Sequence, residues 1–163
     1  LVGSEMCIRD RVGRFDMSGL KEFQRKLEKI DQEAIDGFLE DCAKELAARL
    51  LRKVVKRTPV GQYSKSSGKK GGTLRRGWTG NQRQGASSFV DSLAVRHEGG
   101  SYIIEIVNPV EYASYVEYGH RTADHNGWVS GHFMMTISEK ELKDMAPKIL
   151  ENKLKKFLGG VLQ

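Results

Sequence analysis

Cysteine is scarce in this chain: Cys7 and Cys42 are the two in 163 residues. That is too few for a disulfide framework, and the composition suits a reducing compartment rather than secretion. Proline is scarcer than usual, with three in the whole chain. No run approaches the roughly 20 apolar residues needed to cross a bilayer. The longest apolar pieces, such as Ala47-Ala48 and Leu50-Leu51, are broken by Arg49, which excludes a transmembrane helix and leaves no membrane partner to expect. Acid is missing altogether between Leu46 and Val90. That stretch holds eleven bases: Arg49, Arg52, Lys53, Lys56, Arg57, Lys65, Lys69, Lys70, Arg75, Arg76 and Arg83. The net charge of +6 less those eleven leaves −5 elsewhere. A chain polarised this way presents a basic face to DNA or to an acidic partner, or else carries a solvated loop beside a basic helix end.

What is present reads as one globular domain. Hydrophobic residues make up 39 % and charged residues 29 %, too apolar for a disordered chain. Residues 1–11 (LVGSEMCIRDR) show neither helical nor strand periodicity and lack the layout of a signal peptide. They resemble translated sequencing-adapter sequence, so the expectation is a non-native or disordered leader over 1–16 and a natural start near Met17. The domain then spans 17–158, with a flexible basic loop at 61–72 and a tail at 159–163.

The fold class expected is α+β. Leu20, Phe23, Leu27 and Ile30 mark one face of a helix with Ser18 as its N-cap. Asp31 opens a second, long amphipathic helix whose apolar stripe is Ile35, Phe38, Leu39, Cys42, Leu46, Leu50 and Val54. It ends near Thr58-Pro59, since a residue before proline is pushed out of the helical region. Residues 88–96 and 101–107 read as two strands of a small antiparallel sheet, with Gly99-Gly100 supplying a tight hairpin turn. Val110 to Tyr118 is a short tyrosine-rich helix capped by Gly119, and Arg121 to Val129 a loop. Ser138 and Glu141 form a capping box for a C-terminal helix with the stripe Leu142, Met145, Ile149, Leu154 and Phe157. Pro147 inside that stripe predicts a kink or a break.

Catalytic patterns are largely missing. The glycines and lysines of 64–72 lack the Gly-Lys-Ser/Thr end of a phosphate-binding loop, and no Gly-x-Ser-x-Gly elbow occurs. His120, His125 and His132 cluster within thirteen residues. They have neither cysteines nor a His-Glu-x-x-His spacing, so solvated histidines are expected rather than a zinc hydrolase. Glu111 and Glu117 read as plain helix-surface charge. The reading is therefore no catalytic residue, no metal and no cofactor. A candidate DNA- or partner-facing basic surface comprises Arg52, Lys56, Arg57, Lys65, Lys69, Lys70, Arg75 and Arg76. With Tyr63 and Trp78 interleaved, it also suits a non-specific DNA-binding protein, although no recognised reading module accompanies it.

Two segments carry a family resemblance. One is Lys56-Arg57-Thr58-Pro59-Val60-Gly61, followed after the loop by Gly72-Thr73-Leu74-Arg75-Arg76-Gly77-Trp78. The other is Val107-Asn108-Pro109-Val110-Glu111-Tyr112-Ala113-Ser114-Tyr115-Val116-Glu117-Tyr118-Gly119-His120-Arg121. In this order, and followed by Gly131-His132-Phe133-Met134-Met135, they resemble the gene-product-ten-like tail-component family of long-tailed phages, also called neck or tail-completion proteins. The resemblance covers about Met17 to Leu158. Thr73 follows Gly72 where the family has Thr before Gly, and the loop before it is longer and more basic. The resemblance implies a structural virion protein of a phage or prophage, assembled in the host cytoplasm. It implies a homo-oligomeric ring at the head–tail junction, bound to other head-closure and tail proteins around packaged DNA, and no catalysis. It also singles out Trp78, Asn108, Tyr112, Tyr115, Glu117, Tyr118 and Gly119 as interface or motif residues. With Trp128, the three tyrosines are interface anchors or ordinary core filling.

Overall fold

The computed structural model describes residues 18–28, 30–68, 70–80 and 85–161. The expected leader with Cys7, and the bases Lys69 and Arg83, lie outside the described residues, as do the side chains of Leu20 and Phe23. The described residues hold six α-helices, a 3-10 turn at Lys65–Ser67 and four short strands in two hairpins: α1 (Ser18–Glu28), α2 (Gln32–Arg57), α3 (Thr73–Gly77), α4 (Ala86–Asp91), β1 (Arg96–Glu98), β2 (Ser101–Ile103), α5 (Ala113–Tyr118), β3 (Gly119–Arg121), β4 (Trp128–Ser130) and α6 (Met134–Val161). The class is α+β, as the patterning predicts.

The long helix α2 is the spine, and α6 and α4 pack on it. Its buried residues are Cys42, Ala47, Ala48, Leu51 and Val54. The seam is therefore turned from the predicted stripe, leaving Leu46 and Leu50 half-buried and Leu39 exposed. Residues 46–55 are apolar on several sides, so periodicity alone does not choose the seam. The two alanines let neighbouring helices approach closely and decide it. Leu51 and Val54 join Leu74, Trp78, Val90 and Met134 in one core cluster.

Thr58 ends α2 and is fully buried. Its extended backbone (φ −64°, ψ 123°) suits the proline that follows. The Thr58 hydroxyl donates to the Val54 carbonyl at 2.7 Å and accepts the Trp78 indole N–H at 2.8 Å. Arg75 donates from Nε and Nη2 to the Thr58 carbonyl, at 3.0 and 2.6 Å. One residue thus joins the end of α2 to α3.

Several expectations are corrected. Residues 88–96 are not a strand: Ala86–Asp91 is helical, with the Gly85 carbonyl accepting from the Phe89 N–H at 3.0 Å. Val90 and Leu93, three apart, both reach the core. Asp31 stands at the N-cap of α2 but makes no side-chain cap bond. The predicted loop after Arg121 hides a second hairpin, β3 with β4. Ser138 caps nothing, since α6 begins four residues earlier; its hydroxyl donates back to the Met134 carbonyl at 2.6 Å. Helix α6 runs unbroken through Pro147 and on to Val161, into the segment expected as a tail.

The hairpin turn at Gly99-Gly100 is as read, but its strands have three residues each, and β2 stops at Ile103, short of the expected end at 107. Both glycines have positive φ, 55° and 77°, and Glu98 pairs with Ser101 across them. It docks on the first half of α2, where the Tyr102 hydroxyl donates to Asp36 at 2.7 Å and His97 Nε2 lies 2.9 Å from Glu40. The second half of α2 is tied to α6 instead. Glu141 accepts from Lys53 at 2.7 Å and from Arg57 at 2.6 Å, and Arg57 also reaches the Ser138 hydroxyl at 2.9 Å. Leu51, with no solvent exposure, sits where these packings converge. Leu51→Ala is expected to cost about 2–5 kcal/mol of unfolding free energy, read from the urea midpoint at unchanged slope.

Candidate interface at the tyrosine helix

Helix α5 is six residues long, and its burial is one-sided. Ala113 and Val116 pack against the core and Glu117 is buried. Tyr112, Tyr115 and Tyr118 stand outward, 45, 58 and 63 % exposed. Of the two alternatives for these tyrosines, the structure takes the surface one. Gly119 then turns the chain at φ 88°, and a Cβ there would overlap the Val129 carbonyl of the paired strand. Gly131 faces the same limit, because a Cβ on it would overlap the Glu117 carbonyl. The two glycines let β4 return flush against the end of α5. There the amides of His132 and Phe133 donate to the carbonyls of Val116 and Glu117 at 2.8 and 3.0 Å. Trp128, on β4, is 62 % exposed and extends the aromatic face.

Glu117 is not surface charge. It is 6 % exposed and caps the N-terminus of α6 from outside that helix. Its Oε2 accepts from the Met135 amide at 2.9 Å. Its Oε1 accepts from the Thr136 amide at 2.9 Å and the Thr136 hydroxyl at 2.8 Å. Burial by itself would raise the carboxyl's pKa, but the donors from Met135, Thr136 and Met134 outweigh it and hold it below the usual range. The one signal for this in the sequence is a violated rule: a carboxylate in the last turn of a helix opposes that helix's own dipole. Such a residue needs a partner elsewhere.

Asn108 is also structural. Its Nδ2 donates to the Leu74 carbonyl at 2.8 Å and its Oδ1 accepts from the Val110 amide at 3.2 Å. A Cβ on Gly77 would overlap Asn108 Oδ1, so α3 passes here only because residue 77 is glycine. Trp78, expected at an interface or in the motif, is a core residue at 5 % exposure.

The expected basic surface divides. Arg57 and Arg75 are half-buried and spent on Glu141, Ser138 and Thr58. Arg76 is exposed and bonds the Gly71 carbonyl at 3.1 Å. Arg52, Lys56, Lys65 and Lys70 are exposed. Among the described residues no three His, Cys, Asp or Glu side chains group closely enough to hold a metal, so His120, His125 and His132 are not brought together as a ligand set.

The two motif segments meet in a cleft of about 290 Å³. Pro59, Val60, Gly72 and Leu74 line it from one segment, and Tyr112, Tyr115, Val116 and His120 from the other. A family model described as "Bacteriophage HK97-gp10, putative tail-component" matches residues 21–119, well over half of the chain. The chain belongs to this family. It is thus a structural tail component of a bacteriophage, a part of the virion that works against other virion proteins. The matched span takes in the first motif segment and the second as far as Gly119, leaving out His120 and Arg121 as well as β4 and α6. No curated protein and no solved structure matches the chain. Among the described residues of this tail component, no helix is long and apolar enough to cross a membrane.

Replacing Glu117 by glutamine keeps the shape but gives up the charge that the three donors face. Because the folded carboxyl sits below its unfolded pKa, its stabilisation is full above the unfolded value and fades as pH falls through the folded one. Glu117→Gln is expected to lose about 1.5–3 kcal/mol near neutral pH. The gap should close in acid, as measured by urea midpoints over the range from about pH 3 to 7.

Proposed function

We propose that this tail component acts at the head–tail junction as a neck or tail-completion protein. Copies of the 17–158 domain assemble as a ring that joins tail to head. The observation that carries the reading is the aromatic face: Tyr112, Tyr115, Tyr118 and Trp128 stand exposed on a frame that Glu117 and two glycines hold rigid. Rigid aromatic side chains are the residues that anchor protein contacts, since little side-chain entropy is lost when they are covered. The face serves the contact with the neighbouring copy or with the next head-closure or tail protein. Arg52, Lys56, Lys65, Lys70 and Arg76, with Lys69 in the same loop, form the surface turned to packaged DNA in the lumen or to an acidic neighbour.

A second reading, a free-standing non-specific DNA-binding protein, is favoured by those same exposed bases in a stretch without acid. Filter binding at rising salt separates the two: phosphate-driven binding falls steeply with salt, whereas an assembly protein shows only weak duplex affinity at physiological salt.

Particle assembly tests the junction reading. Tyr118→Ser with Trp128→Ser, and separately Lys65→Glu with Lys70→Glu, are each expected to cut the yield of joined particles by about tenfold or more, with heads and tails accumulating apart under the electron microscope. Wild-type yields from both double variants would refute it.

A further inference from the structure

The cleft between the motif segments brings together groups that the ring assignment uses separately, Lys70 of the basic surface and Tyr112 and Tyr115 of the aromatic face. Its ionisable lining residues are Tyr63, Lys70, Tyr112, Tyr115, His120 and His132, and among the described residues no carboxylate lines it. The ring of His120 is held edge-on by Tyr115, with centroids 5.7 Å apart. Its Nδ1 is buried and has no hydrogen-bond partner among the described residues. His132 lines the same cleft, so a polar group that enters it meets two imidazole rings beside the Lys70 side chain. Val60, Leu74, Val116 and Val129 give the same cleft an apolar lining.

Base and phenol on apolar walls suit a carboxylate carried on an aliphatic stem. A volume of about 290 Å³ holds one or two side chains, too little for a duplex, whose phosphates sit on a broad polar rod. We infer that the cleft is a docking site for an acidic segment of a partner protein, a glutamate or aspartate flanked by apolar residues, whose carboxylate is received by His120 and Lys70. This deepens the junction reading and rests on its premise that the chain works by docking on virion proteins.

The probes are two seven-residue peptides, one with a single glutamate between two leucines and the other with glutamine in its place, titrated into the full chain. The glutamate peptide is expected to bind saturably and at least about tenfold more tightly than the glutamine peptide. Its histidine ring shifts should be confined to His120 and His132, with His97 unmoved. His120→Phe keeps the ring against Tyr115 and loses the nitrogens; it should bring the two peptides within about twofold of each other. Lys70→Gln, at an exposed position, should weaken glutamate-peptide binding several-fold in a chain whose urea midpoint is unchanged, which keeps the test alive if the histidine variant misfolds. Equal affinity for the two peptides, no binding of either, or displacement by inorganic phosphate at equimolar concentration would overturn the inference. Such a failure would leave particle joining by the aromatic face intact, whereas failure of the particle assay with peptide binding preserved would count against the junction role alone.

Discussion

The buried carboxylate of Glu117 is the constraint on which the rest of the molecule depends. It projects from the carbonyl end of α5, where its own helix disfavours it, into the amide end of α6, where unpaired donors need an acceptor. A lone charge at this depth would be destabilising, and only the complete set of donors makes it tolerable. The carboxylate therefore fixes where α6 begins. From that start, α6 carries Ser138 and Glu141 to Arg57 and Lys53 on α2, so the terminal helix, the spine and the tyrosine helix are positioned by one chain of charge-assisted contacts.

The concentration of positive charge between Leu46 and Val90 consequently has two uses. Lys53 and Arg57 share the Glu141 carboxylate and hold α2 to α6, while Arg75 closes the carbonyl end of α2. Arg52, Lys56, Lys65 and Lys70 lie at the surface with the repulsion among them unrelieved by any acid in the same stretch. Sequence composition adds the two groups together. The structure separates them by whether a carboxylate or carbonyl from a distant segment lies within reach.

Elements whose signals are local were legible. The helical state of α1 and α2, the Thr58-Pro59 stop, the Gly99-Gly100 turn and the Gly119 cap each arise from preferences of a few adjacent residues, and each is where the pattern put it, although the buried face of α2 is not. Elements decided by distant partners were not. Ser88-Phe89-Val90 has strand-like composition, but it coils into α4, which buries Val90 and brings Leu93, just past the helix, onto the core. β3 and β4 are three residues apiece, β4 wholly exposed and β3 half-buried at Gly119 and His120, too short for an alternation to read; the close approach permitted by Gly119 and Gly131 pairs them. Ser138 and Glu141 have capping-box spacing, but Glu117 supplies a better acceptor a turn earlier. In the candidate site, the motif tyrosines were identifiable, while the inward roles of Trp78, Asn108 and Glu117 depended on Thr58, Leu74 and Met135, which sequence spacing cannot bring near.

The base of the 61–72 segment is closed like a clasp. Gly71 lies so close to the Gly61 carbonyl that no side chain fits between them, and Thr58 and Thr73 on either flank are anchored to the core or in α3. Chain length between two pinned ends is thermodynamically inexpensive, growing only with the logarithm of the number of residues. The tip at Ser64 to Gly68 is therefore a place where this scaffold can gain or lose residues, or accept a grafted epitope, without its helices registering the change.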